Sequence, residues 1–445
     1  MPNRPGKRPR GAFDALIGSP LYEPEAMDMH LSDEAMALVT RALGRLEGPV
    51  VDYHCHVAGR GRGSSCCVHP SMRDDASILN AAGYVNRAKM RVFMCAFGAG
   101  EDDTDEAVAA RLARLARHTP HGLRCILLAF DQRHDKETGA PQPDQSAMTV
   151  PNDHVYGLAK AQPDIFGWAC SVHPYRLDAC EELERCYRRG ARVCKWLPNS
   201  MIIDADDERC EPFYAACARL GMAILCHTGA ETSVDFLGSR VVNELGNPLR
   251  LRRALRAGVK VIAAHCASEG EGQEDSGEWR PCQELLFDMM ARDEWRGLLF
   301  ADISALILFK RLHVLVEVLA RPALFDRLVY GSDWPVPALG GRTVGTKAQP
   351  LALRHGGAIG AQLVLTGLIT AAECDALHEV FQFNPLLFDL VLKLTVRHPS
   401  TGAMLPASVF SAHPLLPPLG PDVSAANLRQ QIADAAAVGN SVVTL

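Results

Sequence analysis

The stretch VVDYHCHVAG, from Val50 to Gly59, places two histidines around one cysteine, directly after residues typical of a β-strand interior. Side chains alternate between the two faces of an extended strand, so His54 and His56 should point the same way. Tyr53 and Cys55 should then point the other way. Two imidazoles that converge from one short segment suit a metal ion, but paired core or surface histidines give the same spacing. The remainder of the chain has to decide between these interpretations.

The composition indicates a globular protein with no electrostatic attraction to nucleic acid. The 445 residues are 48% hydrophobic, with a formal net charge of −6 and an isoelectric point near 6.2. These values predict a sizeable core and no nucleic-acid partner, and the basic run RPGKRPR at residues 4–10 is predicted to be an unstructured terminus. No apolar run reaches the roughly 18–20 residues of a membrane span, and the start of the chain lacks the apolar stretch of a signal peptide. We therefore expect a cytoplasmic protein without a membrane partner.

Fifteen cysteines are present, and no two of them have the spacing Cys-x-x-Cys. An odd number in a long chain that lacks this spacing predicts neither a disulfide framework nor a structural zinc cluster. We expect reduced thiols.

Helical and strand-like segments alternate along the chain. At Gly190, Gly221 and Gly258 a basic helix end runs into a glycine, and an apolar strand follows. Counting VVDYHCH as the first, eight strand-like segments emerge, which predicts an α/β fold of the (β/α)8 TIM-barrel type. An open doubly wound sheet is the alternative, but no glycine-rich phosphate loop follows the first strand. The predicted organisation is an N-terminal extension at residues 1–48, the barrel at 49–400, and a C-terminal tail at 401–445 that wraps the barrel or pairs with a partner.

Polar side chains with metal-binding or proton-transfer chemistry recur at the carboxyl ends of these strands. They are His54 and His56 on the first strand, Lys195 on the fourth, His227 on the fifth, His265 on the sixth and Asp333 on the eighth. The successive intervals from the lysine to the aspartate are 32, 38 and 68 residues, and the last is two steps of 34. These intervals fit one repeating βα unit. In a barrel these side chains meet at one mouth, where the active sites of this fold lie.

A cysteine adjoins most of these polar positions, as Cys55, Cys194, Cys226 and Cys266 show. Each lies one residue out of phase with its polar neighbour, so its thiol is predicted to face the helical layer as a small hydrophobic group. The competing interpretation makes the thiolates metal ligands, but imidazole and thiolate would then have to converge from opposite faces of a strand.

Four histidines and an aspartate at one mouth offer the neutral nitrogen and hard oxygen ligands that Zn²⁺, Mn²⁺ and Fe²⁺ accept. A cluster of hydrogen-bonded core histidines is the alternative, and burying so many imidazoles without a metal would be costly. We predict a divalent metal site of one or two ions, with zinc as the first candidate and manganese or iron as the others.

Five motifs resemble the amidohydrolase superfamily, in particular the amidohydrolase-related branch of metal-dependent hydrolases and of aminocarboxymuconate semialdehyde and hydroxybenzoate-type decarboxylases. The motifs are DYHCH, CKWLP, CHTG, AHC and YGSDWP, and they run in the family's order. The resemblance extends from Val50 to about Phe388, where FNPLLF looks like the family's closing helix. It implies a metal-dependent enzyme.

The ligand set that this resemblance implies is His54, His56, Lys195, His227, His265 and Asp333. In a binuclear site the first two histidines and the aspartate hold one metal, the later histidines help to hold a second, and a lysine carbamylated by carbon dioxide bridges the two. Asp333 is the implied proton carrier between water and leaving group.

The decarboxylase-like branch implies a different use of the same residues. One metal is then held by the first two histidines, His227 and Asp333. His265 becomes an acid/base or oxyanion group, and Lys195 keeps its ammonium, for the substrate or for a carboxylate.

Further polar residues in the loops after the second and third strands would bind a substrate if they line the mouth: Arg133, His134, His173 and Arg176. Arginine suits a carboxylate in bidentate fashion, and solvated loop charge is the alternative. The long loops at residues 63–72 and 134–154 are predicted to form a lid and the specificity surface.

These inferences predict a metal-dependent hydrolase that acts on an amide, lactone or similar ester-like bond of a small-molecule substrate. The first alternative is a metal-dependent non-oxidative decarboxylase of a small carboxylic acid. The second is a catalytically silent barrel that serves as a binding protein. The prediction leaves a homo-oligomer open.

Overall fold

Eight parallel strands alternate with helices along the chain. The computed structural model describes residues 22–57, 59–73, 81–99, 103–234, 241–339 and 357–418. The basic run at residues 4–10 and the predicted tail beyond residue 418 lie outside these ranges. The strands are β1 (Val50–His56), β2 (Leu123–Leu128), β3 (Phe166–Ala169), β4 (Val193–Trp196), β5 (Ala223–His227), β6 (Lys260–Ala264), β7 (Leu299–Asp302) and β8 (Leu328–Val329).

Backbone hydrogen bonds join the strands into a ring. Strands β1, β2 and β3 pair in one parallel sheet, and β4 to β8 pair in sequence in a second. Between β3 and β4, the amide of Lys195 donates to the carbonyl of Cys170 at 2.7 Å, and the amide of Cys170 donates to the carbonyl of Val193 at 3.0 Å. This junction connects the two sheets on one side.

The β1–β8 junction connects them on the other side. The amide of Tyr53 donates to the carbonyl of Tyr330 at 3.0 Å, and the amide of Asp333 donates to the carbonyl of His54 at 2.8 Å. A parallel bridge between Cys55 and Trp334 continues the pairing. The eight strands therefore close into the predicted (β/α)8 barrel, and the alternative of an open doubly wound sheet is wrong.

One hydrophobic cluster fills the inside of the barrel and takes residues from all eight strands. Its members are Val51, Tyr53, Ile126, Leu128, Ala169, Val193, Ala223, Leu225, Ile262, Ala264, Phe300 and Val329, together with Leu416. Strand residues of the opposite phase, such as Cys125, Cys194 and Cys226, belong to a separate cluster that includes the helices. This division is the alternation expected of barrel strands.

Strand β1 departs from regular alternation at one point. Its pairing with β2 shifts between Asp52 and Cys55, where β1 carries one residue more than its partner. Tyr53 consequently packs inside the barrel with Val51, and the prediction that it would face away is wrong because the bulge resets the phase. Cys55 packs toward the helices, as predicted.

Helices connect and surround the strands. They are α1 (Met27–His30), α2 (Asp33–Leu43), α3 (Ala81–Phe97), α4 (Asp105–Arg117), α5 (Asn152–Ala161), α6 (Ala179–Arg188), α7 (Pro198–Met201), α8 (Glu211–Leu220), α9 (Arg252–Arg256), α10 (Cys282–Ala291), α11 (Leu312–Leu319), α12 (Val336–Leu339), α13 (Gly357–Leu365), α14 (Ala371–Phe383) and α15 (Pro385–Thr395). None of those in the described ranges combines the length and apolar character that a membrane crossing needs.

The three predicted helix-to-strand joints have the conformation that glycine favours. Gly190, Gly221 and Gly258 have φ values of 91°, 66° and 77°. A residue with a β-carbon is strained in this left-handed region, whereas glycine enters it freely and ends the helix. Each glycine thus separates a helix (α6, α8 or α9) from the strand that follows.

The described part of the predicted N-terminal extension lies against the helices that follow the barrel. Helix α2 contacts α14 and α15. The amide of Tyr22 donates to the carbonyl of Gln382 at 3.0 Å, and the guanidinium of Arg45 donates to the carbonyl of Leu405 at 2.6 Å.

The described part of the predicted C-terminal tail covers the amino end of the barrel. The amide of His413 donates to the hydroxyl of Tyr53 at 3.1 Å, and its imidazole lies 2.7 Å from the carbonyl of Asp326, just before β8. The same ring packs against Phe300 with ring centroids 4.8 Å apart. Leu416 is 4% exposed and completes the inner cluster. This segment therefore plugs the end of the barrel opposite the polar mouth.

Two long loops pair above the carboxyl ends of the strands. Cys67–Val68, in the loop after β1, forms an antiparallel ribbon with Met148–Thr149, in the loop after β2. These are the two loops predicted to form the lid and the specificity surface.

The plug can be tested at two adjacent leucines. We expect Leu416→Ala to lower the free energy of unfolding by about 2–5 kcal/mol, because it leaves a cavity inside the barrel. Leu415→Ala is the matched control, because this side chain is 48% exposed and its loss should change stability by less than about 0.5 kcal/mol. Urea unfolding of the three proteins measures both effects. Equal destabilisation by the two substitutions would contradict the described packing of the tail.

Candidate metal centre

Three predicted ligands converge where β1 meets the loop after β8. The Nε2 atoms of His54 and His56 lie 3.3 Å apart. Oδ1 of Asp333 lies 3.5 Å from Nε2 of His54 and 3.2 Å from Nε2 of His56. The two histidines and the aspartate are far apart in sequence, and they meet here because the β1–β8 junction brings the first strand beside the last.

The spacing of these three atoms fits a metal ion. Ligand atoms at 2.0–2.2 Å from one ion in tetrahedral geometry are roughly 3.3–3.6 Å apart, close to the distances among the three side chains. Two imidazole nitrogens and one carboxylate oxygen are also a donor set that divalent transition metals accept. The residues present therefore fit a divalent ion.

The backbone at Asp333 aims its carboxylate into the mouth. Its φ of 59° is left-handed, which is uncommon for a residue with a side chain and is held here by the hydrogen bond to His54. Burial raises the pKa of Asp333, but the neighbouring His54 and His56 outweigh that effect, so the pKa lies well below its usual value. The carboxyl group is consequently ionised at neutral pH.

Asp302, at the end of β7, orients His54 from behind. Its Oδ2 lies 2.8 Å from Nδ1 of His54, and both side chains are fully buried. Burial, followed by the charge of Lys195, lowers the pKa of His54 to about 4, so the imidazole is neutral. The proton on Nδ1 then donates to Asp302, and the lone pair on Nε2 faces the mouth. Carboxylate–histidine pairs of this kind fix the tautomer of metal ligands.

His265 lies next to this group. Its ligand atoms, with those of His54 and Asp333, all lie within 4.8 Å of one another. Its Nδ1 is 2.8 Å from Oγ of Ser304 and 4.0 Å from Oδ2 of Asp333. The residue begins a short turn with φ of 58°, and its amide donates to Asp302 at 2.8 Å. Burial, and then the charge of Arg311, hold the pKa of His265 well below its usual value.

His227 reaches the centre from β5 but makes a different contact. Its ring packs against that of His265 with centroids 5.1 Å apart. Its Nε2 lies 3.3 Å from Oε2 of Glu231, which is its carboxylate partner among the described residues. Burial lowers the pKa of His227, with the charge of Glu231 opposing that effect.

Lys195 is the penultimate residue of β4, and its amine lies in the same group of side chains. Its Nζ lies 3.2 Å from Nε2 of His54, and the residue is 1% exposed. Burial lowers the pKa of Lys195, while Asp302 and Asp333 act in the opposite direction. The chain thus brings all six predicted ligand residues to one mouth, with His54, His56 and Asp333 as the tightest set.

The cysteines beside these residues face away from the mouth. Cys55, Cys194, Cys226 and Cys266 pack in the cluster between strands and helices, as predicted. The described cysteines form no disulfide. On the outer face of β1 the side chains of Asp52, Cys55 and Cys125 lie within 4.8 Å of one another, and burial raises the pKa of the Cys55 thiol well above its usual value. A protonated thiol is a poor metal ligand.

A cavity of about 100 Å³ extends from the metal residues toward the two paired loops. Its polar lining consists of His54, His56, Lys195, His227, Glu231, Ser233, His265, Arg311 and Asp333. Its apolar lining includes Met72, Met90, Phe93, Phe97, Phe130, Met148, Val150 and Val336. The cavity is therefore polar at the strand ends and apolar beneath the loops, several of whose side chains form its walls.

Four residues predicted to bind substrate lie outside this lining: Arg133, His134, His173 and Arg176. Nδ1 of His134 is 2.9 Å from the carbonyl of Gly139, and Nε2 of His173 is 3.0 Å from the carbonyl of Met201. Arg176 pairs with Asp131 at 3.1 Å and with Asp178 at 2.8 Å. The partners of His134 and Arg176 lie in the loops after β2 and β3, and that of His173 lies at the end of α7. These three side chains therefore support structure outside the cavity lining.

Two residues of the centre, Arg311 and Ser304, were not predicted from the sequence. Arg311 directly precedes α11, where basic residues are common on exposed surfaces, and it is 5% exposed in the cavity wall. Ser304 lies two residues beyond Asp302, with its hydroxyl 3.3 Å from Nδ1 of His54. The available signal was the position of a polar residue just after a strand end. Many residues that the centre does not use have the same kind of position.

Asp302→Asn tests how His54 is oriented. The amide oxygen can keep the hydrogen bonds from the amides of His265 (2.8 Å) and Ser304 (3.1 Å), which places the NH₂ group against Nδ1 of His54. The imidazole would then carry its proton on Nε2 and lose the lone pair that faces the metal. We expect metal affinity to fall about 10–100-fold in competition with a chelator.

Asp293→Asn is the matched control, because the side chain of Asp293 is 99% exposed. It should bind metal as the wild type does. Unchanged affinity in Asp302→Asn would contradict the role assigned to this carboxylate.

No curated protein matches the chain. Among solved structures, an uncharacterized TIM-barrel protein from Bordetella bronchiseptica is 17% identical with a TM-score of 0.42, over 65% of this chain and 88% of that one. The 5-carboxyvanillate decarboxylase of Sphingomonas paucimobilis is 15% identical with a TM-score of 0.40, over 70% of this chain and 95% of that one. At these TM-scores we draw no conclusion from either likeness.

The family comparison is more informative. The amidohydrolase family model matches residues 51–354, a range that contains all six predicted ligand residues and most of the barrel. The match covers more than half of the chain. The protein therefore belongs to the amidohydrolase family, whose members are metal-dependent enzymes.

Proposed function

We propose that this protein is a metal-dependent hydrolase that cleaves an amide, lactone or similar ester-like bond of a small molecule. The observation that carries the proposal is the ionised carboxylate of Asp333, placed 3.2 and 3.5 Å from two imidazole nitrogens in the lining of the cavity. Such a group can hold a divalent ion and exchange a proton with water in the same place.

His54, His56 and Asp333 are the residues that would hold the ion, and zinc is the ion we propose, with manganese or iron as alternatives. A divalent ion bound there would lower the pKa of water from 15.7 to about 7 and polarise a carbonyl group. The neutral form of His54 and the ionised form of Asp333 are the protonation states that such binding requires.

The two oxygens of Asp333 support a role in proton transfer. Oδ1 lies near the paired imidazoles, whereas Oδ2 lies 4.0 Å from Nδ1 of His265. In the proposed reaction Asp333 takes the proton of the attacking water and delivers it to the leaving group. His265, on the other side of the carboxylate, stabilises the oxyanion or assists the proton transfer.

Asp333→Asn should leave the fold intact and remove most turnover, because the neutral amide cannot carry the proton. We expect the rate to fall ~10²- to 10⁴-fold with a confirmed substrate. Asp326→Asn is the control, since this side chain is 55% exposed and lies at the opposite end of the barrel. Near-normal turnover in Asp333→Asn would show that another residue is the base.

The chemical state of Lys195 distinguishes the hydrolase from the alternative function. Burial lowers its pKa, which favours the neutral amine that reacts with carbon dioxide to form a carbamate. A carbamate would be an anionic bridge between two ions, with His227 and His265 helping to hold the second. An unmodified ammonium 3.2 Å from Nε2 of His54 would instead repel a second cation.

If Lys195 is not carbamylated, the 3.2 Å distance between its Nζ and Nε2 of His54 favours a second candidate, a metal-dependent non-oxidative decarboxylase with a single ion. The same ion would then bind the substrate carboxylate or hydroxyl, and Asp333 or His265 would handle a proton at carbon. The two candidates differ in metal content and in whether carbon dioxide is released.

Metal content per chain separates them. In protein prepared with bicarbonate, we expect about two ions per wild-type chain and about one in Lys195→Ala. Lys160→Ala, at an exposed position on α5, should match the wild type. About one metal ion per chain in both the wild type and Lys195→Ala would contradict the binuclear hypothesis. The decarboxylase would then be the better supported function. A chain without metal or turnover on lactones, amides and aromatic acids would indicate a silent binding barrel.

A further inference from the structure

One cationic side chain in the cavity has no part in the proposed metal chemistry. Arg311 lines the cavity together with His227, His265 and Asp333, and only 5% of the residue is exposed. Its positive charge contributes to the lowered pKa of His265. The guanidinium therefore lies close to the centre and is shielded from bulk water.

Part of this guanidinium has no partner in the part of the chain that the structure describes. Nε pairs with Oε1 of Glu269, whereas Nη1 is buried without a hydrogen-bond partner among the described residues. A buried, unsatisfied donor on a charged group is costly, so such groups normally have a counterpart. The planar fork of arginine donors matches a carboxylate in particular.

The ion pairs of Arg311 with its immediate neighbours do not cancel all of their positive charge. Glu269 also pairs with Lys310, whose Nζ contacts Oε2, so one carboxylate is shared by two cations. Burial raises the pKa of Glu269, but the charge of Arg311 and the contact with Lys310 lower it overall, so the group is ionised. The three side chains together carry one net positive charge. Glu269 fixes the guanidinium without neutralising the whole cluster.

Another part of the cavity lining is apolar. Phe93, Phe97, Phe130 and Met148 are among the side chains that form it. Apart from Lys195 beside the metal residues, Arg311 is the cation in the lining that the described residues provide. A ligand that fits would have one anionic group and an otherwise apolar body.

We propose that Arg311 anchors a carboxylate of the substrate, so that the enzyme acts on monoanionic acids whose bodies are aromatic or branched apolar groups. The carboxylate would pair with Arg311, the apolar body would pack against the phenylalanine and methionine wall, and the scissile carbonyl would lie at the metal residues. This inference rests on the proposed function, because the position of the reacting bond is defined by that centre. Arg311 is thereby a specificity-determining residue.

The test measures binding of two matched probes and requires no turnover. 4-Carboxyphenylacetohydroxamic acid and its 4-carbamoyl counterpart share a hydroxamate that binds divalent metal, and they differ in one carboxylate. Titration calorimetry with metal-loaded protein gives the preference for the carboxylate probe. We expect about a 10–100-fold preference in the wild type, as a charge-assisted pair provides.

Arg311→Met should abolish this preference while the carbamoyl probe still binds. Arg311→Lys keeps the positive charge beside Glu269 but lacks the planar fork of donors, so it should lower the preference. This variant provides the test if Arg311→Met does not fold. Lys310→Met is the matched control, because Lys310 also pairs with Glu269 but is not in the cavity lining. It should keep the wild-type preference.

The outcomes separate this inference from the proposed function. No preference in the wild type, or an undiminished preference in both Arg311 variants, would overturn the anchor. Failure of both probes to bind metal-loaded wild-type protein would count against the metal centre itself. A preference that depends on Arg311 in an enzyme that releases carbon dioxide would support the anchor and reject the hydrolase.

Discussion

The hydrogen bonds between β1 and the segment after β8 are the constraint on which the rest of the molecule depends. The amide of Asp333 donates to the carbonyl of His54, so the carboxylate is positioned by the same contact that closes the barrel. The approach is close enough that a β-carbon at Gly331 would lie 2.8 Å from that of His54, which only glycine avoids. Lys393, fully buried on α15, donates to the carbonyl of Gly331 at 2.9 Å and secures the junction from outside.

Burial determines the electrostatics of the centre. Removing the side chains from water favours neutral histidines, as the lowered pKa values of His54, His227 and His265 indicate. Asp302 and Asp333 remain ionised because histidines surround them. The result is a compact group of lone pairs and negative oxygens, which is the arrangement that a divalent ion stabilises.

The strands and the loops contribute different parts of the cavity. The strand ends carry the groups with proton and metal chemistry, and they are held by a rigid barrel whose inside is filled and plugged by Leu416. The loops after β1 and β2 contribute apolar side chains to the walls, among them Met72 from the first loop and Met148 from the ribbon that joins the two loops. Chemistry can therefore be kept while the walls, and with them the substrate, change.

The sequence by itself determined the barrel, the six residues at its mouth and the outward direction of the cysteines, because strand period and helix-ending glycines are local properties. The sequence did not predict the orientation of Tyr53, nor that the four loop residues Arg133, His134, His173 and Arg176 lie outside the cavity lining. A bulge resets the phase of β1, and loop side chains choose partners that depend on how the chain folds back. Only the tertiary structure decided that Asp302 orients His54 and that Arg311 enters the cavity. Asp302 ends a strand as the other mouth residues do, but its partner is 248 residues away in sequence, and Arg311 lies beyond the strand pattern altogether.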